Sequence, residues 1–221
     1  LALKILNFKT GGEIITPCLN FGTAISAILQ NNLKPILVDI KRETLQINED
    51  LIEGYITNKT VGMLIPNLIG NIPNWPKIKR ISSKYNLKII EDSADTIDSK
   101  IKMKPTGNYS NISITSFYGS HIISCAGNGG MLLLNDKKMY QKAKILRSWG
   151  RLSSIYDSSE KLNNRFNFKL DGKYYDNKFI FSEVGYNFEP SEIGASFGLE
   201  QLKKLNNFKK IRSLNFKQHY N

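Results

Sequence analysis

Short apolar runs alternate with segments of helical periodicity over the first 91 residues. The apolar runs predict strands at 13–17, 35–39, 61–65 and 87–91, and the periodic segments predict helices at 22–31, 48–56 and 75–85. Such alternation is typical of parallel strands joined by crossover helices, so an α/β fold is predicted. Ligands of these sheets bind beyond the carboxyl ends of the strands. We therefore look for chemistry first at the polar residues that end or follow the strands, Asp39, Asn67 and Glu91-Asp92-Ser93.

The pattern changes after residue 110. Two apolar runs, at 112–118 and 130–134, are joined by a short polar link that contains several glycines. Because this link is too short to hold a crossover helix, the two strands are predicted to be antiparallel neighbours. A helix capped by Asp136 is predicted at 136–148. The polar and poorly periodic segment 151–181 is longer than an ordinary loop, which favours a functional role for it.

The C-terminal region is strongly basic. The chain carries a formal net charge of +12, and the residues after Glu200 contribute six lysines and arginines and no acid. A last helix is predicted to begin after Pro190 and to run through Leu202. No basic stripe interleaved with aromatic side chains accompanies the charge. We therefore predict no nucleic-acid partner and interpret the basic residues as a solvated helix face.

Length and composition fit one domain over 1–221, since the chain has 221 residues of which 41% are hydrophobic. Cys18 and Cys125 lie far apart and the histidines are His121 and His219, so neither a disulfide framework nor a four-ligand zinc site is predicted. Because no disulfide framework is predicted, we expect a cytoplasmic protein. Because no apolar run approaches about 18 residues, we expect no membrane segment. The start at Leu1 leads us to expect a fragment of a longer chain.

Three features are candidates for chemistry when their residues are considered alone. Asp92 ends a predicted strand and could hold a cation, or it could cap the following turn. His121 lies between a predicted strand and a glycine-rich turn, and it could be a general base or a hydrogen-bonded surface histidine. The run Gly127-Asn128-Gly129-Gly130 could bind a phosphate through backbone amides, but it lacks the spacing of the known phosphate loops and is typical of a turn.

Seven motifs in order, spread over nearly the whole chain, carry a resemblance to a known family. They are Gly12-Glu13-Ile14-Ile15-Thr16-Pro17, Pro35-Ile36-Leu37-Val38-Asp39, Glu91-Asp92-Ser93-Ala94-Asp95, Ser116-Phe117-Tyr118, Gly129-Gly130, Leu146-Arg147-Ser148-Trp149-Gly150-Arg151 and Gly185-Tyr186-Asn187. With these motifs the chain resembles the nucleotide-sugar aminotransferases of the DegT/StrS group, which are fold-type I pyridoxal phosphate (PLP) enzymes. The resemblance implies a three-layer α/β sandwich with a mostly parallel mixed sheet, the large domain of that fold. It also implies that the family's N-terminal phosphate loop and C-terminal small domain are missing from this chain.

The same resemblance implies roles at the cofactor for five residues. Asp92 would pair with the pyridine nitrogen and keep it protonated, as a carboxylate beside a cation can. Phe21 would stack on the ring, and Ser116 would bind the phosphate. Asn187 would reach the phosphate of the neighbouring subunit, which implies a homodimer with shared active sites. Asp95 would lie at the cofactor as well.

One departure from the family pattern decides the predicted chemistry. His121 stands where ordinary members carry the lysine that binds the cofactor covalently, and no lysine lies between Lys104 and Lys137. An imidazole cannot hold the cofactor aldehyde in that way, but it can move protons near neutral pH. The replacement resembles the sugar 3-dehydratases of the family, and Asp95 in Glu-Asp-x-x-Asp agrees with that subgroup. Asp98 stands where a glycine is usual, and the sequence offers no reason for it.

The resemblance implies an enzyme that uses PLP in its pyridoxamine phosphate (PMP) form to remove the C3 hydroxyl of a nucleotide-linked 4-keto-6-deoxyhexose. Such a step belongs to dideoxysugar and lipopolysaccharide biosynthesis, and His121 would be its base. The segment from Leu152 to Phe181 contains no cysteine where cluster-bearing relatives carry theirs, so no iron–sulfur cluster is expected and glutamate is the expected amino donor. Two alternatives stay open: an aminotransferase of the same family, and a non-catalytic sugar-binding relative.

Overall fold

A computed structural model describes residues 1–158 and 160–220. The strands are β1 (Glu13–Pro17), β2 (Lys34–Val38), β3 (Thr60–Pro66), β4 (Lys88–Asp92), β5 (Lys100–Ile101), β6 (Lys104–Pro105), β7 (Ile112–Ser116), β8 (Gly130–Leu134), β9 (Phe168–Leu170) and β10 (Lys173–Tyr175). The α-helices are α1 (Ala2–Leu6), α2 (Gly22–Gln30), α3 (Trp75–Lys84), α4 (Lys137–Arg147), α5 (Leu162–Arg165) and α6 (Glu192–Tyr220).

The main sheet has the strand order β2-β1-β3-β4-β7-β8. Neighbouring strands are parallel from β2 to β7, whereas β7 and β8 are antiparallel, with Ile112 opposite Leu134 and Ser116 opposite Gly130. The carboxyl ends of the parallel strands therefore meet at one edge of the sheet. This arrangement confirms the predicted mixed sheet and the predicted antiparallel pair at its end.

Apolar side chains form a core on each face of this sheet. Successive side chains of a strand point in opposite directions, so β1 sends Ile14 to one face and Ile15 to the other. Helices α1, α2 and α4 pack on the first face. Helix α3 packs on the second face, where Trp75 and Ile78 are completely buried. The predicted three-layer α/β sandwich is confirmed.

The predicted helix at 48–56 is wrong. The side-chain oxygen of Asn48 accepts the N–H of Asp50 at 3.1 Å, and a 3₁₀ turn at Ile52–Tyr55 follows. An asparagine that bonds to the backbone two residues on competes with a helix, and Gly54 weakens a helix further. The structure also contains the short helix α1, which the sequence pattern does not predict.

The described part of segment 151–181 folds into short elements of its own. Helix α5 precedes the β9–β10 hairpin, and a 3₁₀ turn at Asn177–Phe179 follows it. Asn177 is buried, and its Nδ2 donates to the carbonyl oxygen of Asn164 at 2.7 Å. Arg165 pairs with Asp176 and lowers the pKa of that carboxyl. Side-chain bonds of this kind order a segment whose apolar pattern is weak.

Helix α6 packs through two glycines against the link between β7 and β8. Gly194 and Gly198 face Cys125, and a Cβ on Gly198 would collide with the Cys125 sulfur. Burial in this contact raises the pKa of the Cys125 thiol. Although α6 is 29 residues long, neither it nor any other helix within the described ranges is apolar enough over a sufficient length to cross a membrane.

Candidate active site

The central strands β4 and β7 end side by side at the carboxyl edge of the sheet. Asp92 is the last residue of β4 and lies opposite Ile114 of β7, and Ser116 ends β7 two residues further on. On the other side of β4, β3 ends directly before Asn67. Three neighbouring strands thus bring polar side chains to the edge at which parallel sheets bind ligands.

Asp92 is a largely buried carboxylate. One of its oxygens accepts the N–H of Ala94 at 3.0 Å. Burial raises the pKa of Asp92, and the nearby Asp95 raises it further, whereas His121 opposes the shift. Among the described residues, no lysine or arginine is one of the main causes of this shift in pKa. A buried carboxylate without a fixed cationic partner can accept a protonated nitrogen from a ligand.

His121 lies close to the Asp95 carboxylate and near enough to Asp92 to affect its pKa, and we call Asp92, Asp95 and His121 the carboxylate–histidine cluster. The Nε2 of His121 is 3.7 Å from Asp95 Oδ1, which is an ion-pair distance and longer than a hydrogen bond. The ring of Tyr118 meets the imidazole edge-on, with 5.9 Å between the ring centres. Nδ1 of His121 is buried and has no hydrogen-bond partner among the described residues.

The glycine-rich link between β7 and β8 positions His121. The N–H of His121 donates to the carbonyl of Tyr118 at 3.0 Å, and the N–H of Phe117 donates to the carbonyl of Gly129 at 2.9 Å. Gly127 and Gly129 have φ angles of +100° and +130°, which residues other than glycine rarely adopt. The glycine run is therefore a turn that folds the link back along β7, as the turn interpretation of the sequence proposes.

A buried hydrogen-bond network around Asn67 holds the strand end that carries Asp92. Its Nδ2 donates to Glu91 Oε1 at 3.0 Å and to Ser93 Oγ at 2.8 Å, and its Oδ1 accepts the indole N–H of Trp75 at 2.8 Å. Its backbone N–H donates to the carbonyl of Asp92 at 2.8 Å. Asn67 therefore joins the end of β3 to the end of β4 and to α3, and it fixes the chain that carries Asp92.

Three predicted site residues lie apart from these contacts. Ser116 accepts the N–H of Tyr118 at 3.2 Å and is partly exposed. Phe21 precedes α2 and is 72% exposed. Asn187 is exposed and forms an isolated backbone bridge with Ser148. The structure thus brings Asp92, Asp95 and His121 together, whereas the proposed ring, phosphate and partner-subunit contacts of the other three remain predictions.

The sixth and seventh motifs of the resemblance pack against each other. The N–H of Trp149 donates to the carbonyl of Tyr186 at 2.7 Å. Gly150 has a φ of +86°, and a Cβ at this position would collide with the carbonyl oxygen of Glu183. A Cβ on Gly185 would collide with the Gly150 backbone in turn. Two glycines are needed because the two backbones meet without room for a side chain.

Asp98 has a geometric explanation that the sequence lacks. Its φ is +61°, a left-handed conformation that glycine adopts freely and that aspartate tolerates better than most residues. Its carboxylate pairs with Lys100 and with Lys209 of α6, and the bond from Lys209 lowers the pKa of Asp98. At least one residue of the basic C-terminal region therefore has a partner in the fold, although Lys209 remains exposed, as the interpretation as a solvated helix face predicts.

Sequence reasoning missed Tyr118 as a neighbour of His121 and Ile69 as a neighbour of Asp95. The N–H of Ile69 donates to Asp95 Oδ2 at 3.0 Å, although the two residues are 26 positions apart. Tyr118 could have been found from its spacing of three residues from His121. No sequence signal marks Ile69, because Leu68-Ile69-Gly70 has the pattern of an ordinary apolar run. Asp39, another candidate from the sequence, directly follows the edge strand β2, and its carboxylate accepts the N–H of Ile40 at 2.8 Å.

Comparisons with known proteins agree with this architecture. The chain is 32% identical over 211 residues to the lipopolysaccharide biosynthesis protein RfbH of Salmonella typhimurium, a match that covers 94% of this chain and 48% of the relative. It is 32% identical over 208 residues to the GDP-perosamine synthase of Escherichia coli O157:H7, covering 94% of this chain and 51% of the relative. The chain thus spans about half the length of the curated relatives it matches.

A solved structure and a family model give the same assignment. The E. coli GDP-4-keto-6-deoxy-D-mannose-3-dehydratase with bound hydrated PLP superposes with a TM-score of 0.83 at 28% identity, over 95% of this chain and 52% of that one. The family model matches residues 1–221, which confirms the predicted family. The chain belongs to the DegT/DnrJ/EryC1/StrS aminotransferase family.

Proposed function

We propose that this chain is part of a PLP- or PMP-dependent enzyme of nucleotide-sugar metabolism, and specifically of a 4-keto-6-deoxyhexose 3-dehydratase. One observation carries the proposal. The imidazole of His121 faces the Asp95 carboxylate at the carboxyl edge of the sheet, and no lysine lies between Lys104 and Lys137. An imidazole in this place can transfer protons, but it cannot bind the cofactor aldehyde as an amine does.

The cofactor fits the chemistry of the site. Asp92 is largely buried and has a raised pKa, and no lysine or arginine pairs with it among the described residues, so a protonated pyridine nitrogen would offset its desolvation. Ser116, at the end of β7, would bind the phosphate, and exposed Phe21 would cover the ring. When bound, PMP supplies an amine for the sugar ketone and a protonated ring that accepts electrons. The relative with bound PLP supports this cofactor class.

His121 would act as the base that assists removal of the C3 hydroxyl. Its imidazole takes up a proton at a ring nitrogen, and the Asp95 carboxylate lies 3.7 Å from Nε2. The same imidazole can then return the proton. The surrounding link is tied to β7 by backbone bonds, so the ring is held in place without a covalent bond to the cofactor.

The remaining parts of the proposal concern the whole protein. We propose a nucleotide-linked 4-keto-6-deoxyhexose as substrate and glutamate as amino donor, in a cytoplasmic homodimer. Relatives named for lipopolysaccharide biosynthesis and for a GDP-linked keto-deoxyhexose support the substrate class. Asn187 would reach the site of the partner subunit, and its exposed position leaves it available for that contact.

An aminotransferase is the second candidate. It is supported by the name of the family and by the GDP-perosamine synthase, which is as similar to this chain as RfbH is. The absence of lysine at position 121 weighs against it. Mass spectrometry distinguishes the two reactions after incubation with PMP, glutamate and a panel of nucleotide 4-keto-6-deoxyhexoses. A product that has lost an oxygen supports the dehydratase, and an amine in place of the ketone overturns it.

Replacement of His121 by asparagine tests the role of the imidazole. We expect turnover of the sugar to fall by at least about 100-fold, because the variant cannot take up a proton. PMP affinity should stay within about twofold, because the carboxylate of Asp92 remains. His219→Asn is the matched control, since this second histidine lies at the exposed end of α6. Undiminished turnover in the His121 variant would exclude it as the base.

A further inference from the structure

We propose that Asp95 is a positioning residue for His121. The inference rests on the proposed role of His121 as base and adds the group that orients it. The Asp95 carboxylate faces Nε2 of the imidazole at 3.7 Å. The other nitrogen, Nδ1, is buried and has no hydrogen-bond partner among the described residues. Asp95 is therefore the carboxylate that lies on the Nε2 side of the ring and can orient it.

The Asp95 carboxylate is itself held from a second side. Its Oδ2 accepts the N–H of Ile69 at 3.0 Å. Ile69 has a φ of +51°, an unfavourable conformation for a β-branched residue, and it persists only because the surrounding structure holds it.

The turn around Ile69 is fastened at both ends. The Nε2 of buried Gln46 donates to the carbonyl of Leu68 at 3.0 Å, and the Nδ2 of Asn71 donates to the carbonyl of Thr44 at 2.9 Å. A strained turn that is clamped in this way presents its N–H to Asp95 in a fixed direction. Asp95 is therefore placed between a rigid donor and the imidazole, so its second oxygen can orient the ring.

The groups that face His121 define what a change at Asp95 should do. They are the carboxylates of Asp95 and Asp92 and the phenol of Tyr118. When His121 takes up a proton, both ring nitrogens carry hydrogen and the ring is a cation. The Asp95 carboxylate then stabilises that cation at close range. Asp95→Asn keeps an oxygen for the Ile69 N–H and removes the charge.

The test is an NMR titration of the imidazole rings, and it needs no substrate. The chain has two histidines, so the His121→Asn variant assigns the His121 signals unambiguously. In Asp95→Asn we expect the midpoint of the His121 titration to move to lower pH, because the variant lacks the negative charge that faces the imidazole. Asp98→Asn, which removes a carboxylate that pairs with Lys209, is the matched control and should leave the midpoint unchanged. An unchanged midpoint in Asp95→Asn overturns the proposal.

Kinetics separate this inference from the proposed function. If the wild-type protein dehydrates the sugar, Asp95→Asn should lower kcat at least about tenfold and change KM and PMP affinity by a smaller factor. A loss of PMP affinity at unchanged kcat would make Asp95 a cofactor ligand only and would overturn the positioning role. If the wild-type protein shows no dehydration, the proposed function fails, while the titration still decides whether Asp95 holds His121.

Discussion

Replacing Asn67 with alanine tests whether the network below the cluster stabilises the fold. The substitution removes the bonds to Glu91, Ser93 and Trp75, which measure 3.0, 2.8 and 2.8 Å. Three net hydrogen bonds contribute about 1 kcal/mol each. The indole N–H of Trp75 is also left buried without a partner, which costs a further 1 to 3 kcal/mol or so. We therefore expect the free energy of unfolding to fall by about 4 to 6 kcal/mol.

Urea unfolding followed by tryptophan fluorescence measures this loss, because Trp75 is buried in the folded protein. Asn108→Ala is the matched control: that asparagine is exposed and makes one bond, to the carbonyl of Pro105, so its loss should cost less than about 0.5 kcal/mol. A double-mutant cycle with Trp75→Phe, followed by circular dichroism because that variant lacks the buried fluorophore, should give a combined loss smaller than the sum of the single losses, since both variants remove the same bond. A loss below about 1 kcal/mol in Asn67→Ala, with an unchanged urea dependence, would refute the reasoning.

Two further predictions concern charge and backbone conformation. Asp92→Asn should raise the thermal midpoint of the cofactor-free protein at pH 7 by about 2 to 4 °C, because the raised pKa of Asp92 means that the folded state holds the ionised carboxyl less well than the unfolded state does. This gain should shrink as the pH falls through that pKa, where the wild-type carboxyl becomes protonated, and a gain that grows in acid would contradict the assignment. Asp98→Gly should stay within about 0.5 kcal/mol of the wild-type free energy of unfolding, because relief of the positive φ offsets the loss of exposed ion pairs. Asp98→Ala loses the pairs and keeps the strain, so urea unfolding should show it to be about 1 to 2 kcal/mol less stable, and equal stability of the two variants would argue against strain at this position.

Most of the sheet could be predicted from local patterns. The strands β1 to β4, β7 and β8 coincide with apolar runs within one or two residues, because a buried strand needs consecutive apolar side chains for its two covered faces. The helix at 48–56 could not be predicted correctly, since the side chain of Asn48 competes with the helix for the backbone. The conformation of Asp98 and its pairing with Lys209 could not be predicted either, because the contact joins residues 111 positions apart.

The candidate site, like the fold, could be predicted from the sequence only in part. The amino-acid sequence by itself determined the parallel α/β sheet, the placement of Asp92 at a strand end, and the presence of an imidazole in a stretch without lysine, since these follow from periodicity and residue type. Only the tertiary structure decided which carboxylate faces His121, how Ile69 holds that carboxylate, and that Asn67 is buried with all its side-chain bonds made. Those properties depend on distances between segments that are remote in the chain, and such distances exist only after the layers of the sheet and helices have packed.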